Sequence, residues 1–490
     1  NSCYHDRPER FMQPSSRSFW LDEALAHDEA NEVAPAPALE GETRADICIV
    51  GGGYTGLWTA IDIKSFEPAA DVVLIEKDLC GSGASGRNAG MMLSLWAKYG
   101  SLAKICGNEE ALRIATASAE SVTDIMQFCE DHQIDADIRY DGWLWAATNS
   151  AQHGLWRETI DSLSLHGVSP LTEWDAEQAV ARGGTAAHIG GAFERHAARV
   201  QPASLARGLR RVALENGIKI YENTPLESLE HGVPAVIKTP RGRIRADRVV
   251  LAMNAWASRW AEIRKSIVVV TGDALVTNPV PEQLDALGWR DGVGVSDGRT
   301  LVEYYRTTRD RRLMFGKGGM SGTFSFGGNV GAEVEGASAF GAPLFEAMEK
   351  TFPTIAEAGV HKTWRGPIDR SAEGLPRFWN LDGKENISYA VGFSGNGIGP
   401  CHLAGRILAA MALEKRDEWT ECPLVRPAER SFPPEPFRMI GSKLIRSALL
   451  AKDAADDEGR PPSFAAKLAM RFAPAGLSPF ESSGAPDALE

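Results

Sequence analysis

Gly51, Gly53 and Gly56 stand in G-x-G-x-x-G order within the stretch "GGGYTG". Residues of this type at this spacing hold phosphate. The first glycine permits a tight turn, the second admits a pyrophosphate to the backbone, and the third lets a helix close on its strand. The first turn of that helix carries Tyr54 and Thr55, and its unpaired N–H groups face the phosphates. Twenty residues beyond Gly56 comes Glu76, with Lys77 beside it. An acid there binds a ribose hydroxyl and disfavours a 2′-phosphate, so an adenine dinucleotide, FAD or NAD rather than NADP, is the expected ligand.

The surrounding residues supply the elements this chemistry requires. "ADICIV" reads as a buried strand, Leu57, Ala60, Ile61 and Ile63 recur at helical spacing, and "DVVLIEK" is a second strand ending at the acid. A second loop of small residues, "CGSGASGRNAGMM" (Cys80 to Met92), follows directly. A nicotinamide domain has no need of it, whereas a flavin does. Ser85, Arg87 and Asn88 can donate to phosphate and ribitol, Gly86 and Gly90 permit close approach, and Ala89 and Met91 complete the loop.

Far downstream, "GFSGNGIGP" (392–400) joins a strand at Asn386 to Phe393 to a helix at Cys401 to Leu413. No acidic strand end follows, so it is not a second pyrophosphate site. A flavin accepting hydride at N5 gains negative charge along its N1–C2=O edge. Backbone N–H groups of Gly395, Asn396, Gly397, Ile398 and Gly399, with the positive helix end, would stabilise that charge.

"IVGGGYTGLWTA", "GSGASGRNAG" and "GFSGNGIGPCHLAGRILA" together resemble the D-amino-acid-oxidase-like family of FAD-dependent amine oxidases, which includes glycine, sarcosine and gamma-glutamylputrescine oxidases. The resemblance runs from about Ser18 to Glu414. "VQPASLARGLRRVALENGIKIYENTPL" and "RLMFGKGG" look most like an aminophosphonate oxidoreductase branch. It implies an α/β, Rossmann-like FAD domain in three segments (45–100, 195–260 and 361–422), interleaved with a mixed-sheet α+β substrate domain (101–194 and 261–360). An N-terminal extension (1–44) and a C-terminal helical extension (423–490) flank them. Val200 and Asn254 join the cofactor set by resemblance, although relatives often carry glycine where Asn254 stands. No cysteine lies between Trp364 and Pro400, so noncovalent FAD is expected.

The implied reaction removes hydride from the carbon next to an amine nitrogen, hydrolyses the imine to a carbonyl, and passes electrons to O2 to give hydrogen peroxide. The cofactor carries the difficult step, and no catalytic triad is expected. Along "LVEYYRTT", alternation puts Tyr304 and Arg306 on one face. That face would bind an anionic substrate head, or else form a solvent-facing edge. Arg370 is a second anion-binding candidate, and Trp364 either walls the amine or belongs to the core. Lys317 could promote oxygen reduction, as a lysine does in sarcosine oxidase, and a structural role suits His402 better. Three alternatives stay open: a gamma-glutamylputrescine or N-methyl amino acid oxidase, a dehydrogenase feeding a quinone or partner protein, and a noncatalytic FAD-binding subunit.

The 490-residue chain has a net charge of −13, which disfavours nucleic acid. Seven scattered cysteines without a C-x-x-C pair suit a reducing compartment, and no metal site is expected. No apolar run approaches the ~20 residues of a membrane span. The start lacks a signal-peptide core, so a cytoplasmic location is expected. "EPFRMIGSKLIRSALLAK" is a basic amphipathic helix, expected to pack on its own protein or on a partner subunit, including a second copy, rather than on a membrane. The Pro-, Ser-, Ala- and Gly-rich end after it is expected to be mobile.

Overall fold

A computed structural model of the chain describes residues 17–319, 325–331, 334–427 and 431–473. Residues 1–16 of the N-terminal extension and the small-residue end beyond 473 lie outside the described residues.

The first sheet is built on Gly41–Val50, whose "CIV" end is buried on both faces. It pairs in parallel with Val72–Ile75 on one side and Gly242–Leu251 on the other. Lys219–Tyr221 and Lys384–Val391 extend the parallel set outward, and Arg377–Leu381 closes one edge antiparallel. Strand order therefore reverses at the central strand, and a crevice opens at the carboxyl ends there. The helices Tyr54–Phe66 and Ile398–Ala412 pack together on this sheet. A Cβ on Gly405 would come within 2.5 Å of Trp58 Cβ, which is why the two backbones can approach so closely.

The second sheet has eight strands. Six neighbouring pairs are antiparallel, and Gly294–Asp297 with Trp143–Ala147 is the parallel exception, so the sheet is mixed. Three boundaries differ from the sequence reading. Residues 361–371, expected with the FAD segments, run in Val360–Ser371 at the edge of the second sheet. The helix Tyr99–Asp131, broken at Gly107 (φ 78°), packs on Ile398–Ala412 of the first unit. The described part of the N-terminal extension packs on the substrate-side sheet: in the helix Phe19–Ala30 the residues Phe19, Trp20 and Leu21 are buried in a cluster with Met314 and Trp364.

The C-terminal helix Phe437–Asp457 docks largely through polar groups. Asp453 accepts the N–H groups of Thr300 (3.1 Å) and Leu301 (3.0 Å), Asp457 pairs with Arg299 (3.0 Å), and Arg446 Nε donates to Gly319 O (2.6 Å). Leu449 is buried, while Ile440 and Leu444 of the expected apolar stripe are exposed. No described helix is long and apolar enough to cross a membrane.

Candidate active site

A cavity of about 770 Å³ runs from the central strand's carboxyl end to the face of the second sheet. At its inner end Gly51 has φ +116°, and a Cβ there would sit 2.3 Å from Ala252 O. At Gly56 a Cβ would come within 1.9 Å of Gly51 O, so the third glycine serves helix–strand contact and does not line the cavity. Gly53, Tyr54 and Thr55 do line it. Glu76 is buried there, with Oε2 accepting Gly52 N–H (2.8 Å) and Oε1 accepting Asp78 N–H (3.0 Å). Burial raises its carboxyl and these two donors oppose the rise, leaving lone pairs for a ribose hydroxyl. Lys77 is at the cavity wall, paired with Glu335 (2.8 Å) and 4.4 Å from the Trp256 ring centroid.

The second loop divides into residues that face the cavity and residues that build it. Ser85, Arg87, Asn88, Ala89 and Met91 line the space. Ser85 Oγ accepts the Tyr54 N–H (2.9 Å) and so fixes the helix start. Asn88 was expected to donate outward, but its amide donates to Ala84 O and Ser85 O and its oxygen accepts Gly90 N–H (2.7 Å), which commits it to loop shape. Gly86 and Gly90 abut Gly81 O and Val200 O, where a Cβ would fall within 2.2 and 2.1 Å. These two glycines and Val200 therefore act behind the lining.

The downstream loop lies along the same cavity. Gly395, Asn396, Gly397 and Ile398 line it, whereas Gly399 packs against Leu93 O, where a Cβ would fall within 2.6 Å. Gly395 needs glycine for its φ of +91°. Gly397 does not: its φ is −122°, and a Cβ would meet nothing in the described chain nearer than 3.8 Å. A bare backbone that internal packing does not require fits a flat group pressed on the loop from outside. Among the described residues, one buried oxygen each of Asn254, Asp369 and Asn396, all cavity residues, lacks a hydrogen-bond partner. Asn254 takes φ +47°, a left-handed conformation that Asn tolerates better than most residues, so it can hold a backbone path that glycine would otherwise favour. Cys401 also lines the cavity and accepts the Thr55 hydroxyl (3.1 Å), but burial pushes its thiol up to about 12, far from a nucleophilic thiolate.

Among the five substrate-side candidates, Tyr304 and Arg370 line the cavity. Arg306 shares the face of Tyr304, but the crossing of Gly90 and Val200 covers it. Its guanidinium donates to Val200 O (2.6 Å) and Gly90 O (3.1 Å), lies 4.8 Å from the Trp20 ring centroid, and is fully buried. Desolvation drives its pKa well down, and it is not placed to meet a substrate. Trp364 is core, with Nε1 donating to Arg87 O (2.8 Å). Lys317 is paired with Glu303 (2.5 Å), while its neighbours Gly318 and Gly319 line the cavity. His402 stands against Trp58 and Ser121, a structural setting.

Four charged cavity residues escaped the sequence reading: Lys98, Glu194, Arg259 and Asp369. Asp369 Oδ2 accepts Gly392 N–H (2.6 Å), and burial raises the carboxyl to about 6. Burial likewise pushes Glu194 up to about 7. A carboxyl raised by folding binds its proton more tightly in the folded chain. Its contribution to stability is therefore lost as pH rises from the ordinary carboxylate range to about 7. For Glu194 this is on the order of 3 kcal/mol. Apoprotein carrying Glu194→Gln should show a flatter Tm between pH 5 and 8 than wild type, and an unchanged slope would contradict this origin.

Thr300, Leu301 and Gly319, which the C-terminal helix holds, are cavity walls. Removing the Asp453 carboxylate deletes two charge-assisted hydrogen bonds of about 1.5–3 kcal/mol each. Asp453→Ala is expected to raise KM for the substrate ~3- to 10-fold with kcat nearly unchanged, read by steady-state kinetics. An unaltered KM would mean that the helix does not shape the wall.

The family model for FAD dependent oxidoreductases (DAO) matches residues 46–411. The gamma-glutamylputrescine oxidoreductase of Escherichia coli is 29% identical over 385 residues, covering 78% of this chain and 87% of that protein. A glycine oxidase of Geobacillus kaustophilus is 25% identical over 396 residues, covering 78% and 96%. The crystal structure of glycine oxidase from that organism superposes with a TM-score of 0.61 at 23% identity, covering 78% of this chain and 98% of that one, a likeness of fold. The chain belongs to the FAD-dependent oxidoreductase (DAO) family and is an FAD-dependent oxidoreductase.

Proposed function

We propose that this enzyme is an oxidase of a small primary or secondary amine that also carries an anionic group, with 2-aminoethylphosphonate or its N-methyl derivative as the favoured substrates. The observation that carries this reading is the presence of Arg370 on the wall of the cavity that the bare glycine loop also lines. Bound FAD, held without a covalent link, would accept hydride from the carbon beside the amine nitrogen and pass its electrons to O2. The remaining work falls to the chain. Glu76 and the first glycine loop would anchor the adenosine end, and the loop at Gly395 to Ile398 would face the ring. Arg370 would fix the anionic head with its planar, permanently charged fork. Tyr304 would wall the opposite side, its hydroxyl 3.5 Å from Asp273 O and its pKa raised by burial, so it stays a neutral donor.

A second reading, gamma-glutamylputrescine oxidation, draws support from the 29% identity to the Escherichia coli enzyme. A peroxide-coupled assay of the holoenzyme over aminophosphonates, N-methyl amino acids and gamma-glutamylputrescine separates the two. The expected result is a kcat/KM at least ~10-fold higher for an aminophosphonate. The reverse order would favour the second reading. Bleaching of the bound flavin without peroxide under air would indicate a dehydrogenase, and no bleaching by any amine a noncatalytic flavin carrier. Acid precipitation should leave the flavin in the supernatant, and flavin retained in the pellet would contradict noncovalent binding.

A further inference from the structure

We propose that Glu194 takes up the excess proton of the substrate amine through its Oε2 atom, so that the cavity admits the ammonium form and presents the neutral amine for oxidation. The inference rests on the amine-oxidising reading above and adds the group that performs its first step.

Glu194 ends the strand Gly190–Glu194, directly opposite Trp143 in the second sheet, and is 1% exposed. Both residues line the cavity. Oε1 accepts the Ser94 hydroxyl (2.5 Å), whereas Oε2 is buried without a hydrogen-bond partner among the described residues. A half-satisfied buried carboxylate is costly, and Glu194 is one of the residues lining the cavity in which a ligand would sit. The placement is also tied to the flavin loop, because Asn396 Nδ2 donates to Ser94 O (2.9 Å). One residue, Ser94, thus holds the glycine loop by its carbonyl and Glu194 by its hydroxyl.

An ammonium ion has no lone pair on nitrogen and cannot release hydride from the adjacent carbon. At neutral pH an alkylamine is almost wholly ammonium, since its pKa is near 10. The proposed step breaks one N–H bond of the ammonium and forms an O–H bond on Oε2. A cation and a carboxylate become a neutral amine and a neutral acid, and no electrons change owner. The proton returns to solvent when product leaves. Burial favours this exchange from both sides, raising the acid and lowering the ammonium. Ser94, by hydroxyl and amide, is what opposes the rise at Glu194. The other charged groups lining its cavity are Glu76, Lys77, Arg87, Lys98, Arg259, Asp369 and Arg370, and Tyr140 also feels its charge. Among the described residues no cation is paired with it, so the substrate's own charge would be its partner.

The test uses holoenzyme and an amine that wild type oxidises, with kcat/KM measured from pH 6 to 10. Glu194→Gln, with flavin content equal to wild type, is expected to lose ~100- to 1,000-fold at pH 7. It should then regain about tenfold per pH unit and converge on wild type near the amine's own pKa, because only pre-neutralised amine can react. Loss by one constant factor at every pH, or no loss, would overturn the proposal. If Glu194→Gln fails to hold flavin, Ser94→Ala decides. Without the hydroxyl on Oε1 the acid limb of the profile should move to higher pH with flavin retained, and an unmoved limb would overturn the proposal. Wild type inert toward every amine would instead defeat the functional reading beneath it, a separate outcome.

Discussion

Gly397→Val is expected to give a folded protein that has lost its flavin. The backbone at this position, φ −122° and ψ −21°, is open to a side chain, and a Cβ meets no described atom nearer than 3.8 Å. Internal packing therefore gives no reason for the chain to unfold. The branched side chain would occupy the space over the bare amides, where the account puts the isoalloxazine. Excluding the ring costs at least about 2.7 kcal/mol, a 100-fold rise in the Kd for FAD. FAD titration of apoprotein by fluorescence reads the affinity, and the apoprotein's Tm, expected within a few degrees of wild-type apoprotein, reads the fold. A variant that binds FAD normally would show that the glycine is not there for the cofactor. Gly51→Val is the informative contrast. There a Cβ would strike Ala252 O at 2.3 Å from a φ of +116°, so fold and cofactor should fail together.

The second large effect is expected at Arg370. Replacing it with methionine keeps most of the stem and removes the charge. A charge-assisted hydrogen bond to a buried anion is worth about 1.5–3 kcal/mol, so KM for an anionic amine should rise ~10- to 150-fold. An uncharged amine of the same length should be unaffected, and the ratio between the two substrates is the quantity to measure. Equal losses on both would assign Arg370 to the cavity's structure. Arg306→Met supplies the comparison. Its guanidinium ties Gly90 O and Val200 O together, so its loss should lower Tm and damage both substrates alike.

The contrast between these two arginines shows what the sequence could and could not convey. The first glycine loop, its helix, and the acid at Glu76 were legible because the requirement is local: strand, turn, helix and strand fall within about forty residues. The downstream loop was legible because four glycines exceed what a helix cap needs. Alternation put Arg306 on the face of Tyr304 correctly, but it carries no information about what crosses that face, and the backbone at Gly90 and Val200 covers Arg306. Glu194 gave no signal, since one acid at a strand end reads as a solvated tip. The role proposed for it rests on its pairing with Trp143 and on Ser94, a hundred residues away. The N-terminal helix was hidden for a related reason. Only Phe19, Trp20, Leu21 and Ala24 of its twelve residues are buried, too few to mark it out in a polar stretch. The tail helix showed an apolar stripe, yet it docks mainly by Asp453, Asp457 and Arg446, whose partners no periodicity could name.

The central claim is that peptide amides at Gly395 to Ile398 receive the electron-rich edge of the flavin. A crystal structure of the FAD complex tests it most directly. The expected result is the N1–C2=O edge of the ring within hydrogen-bond distance of backbone N–H groups of that loop, with the pyrophosphate at Gly51 to Thr55. A ring lying elsewhere, or turned so that this edge faces the second sheet, would contradict it.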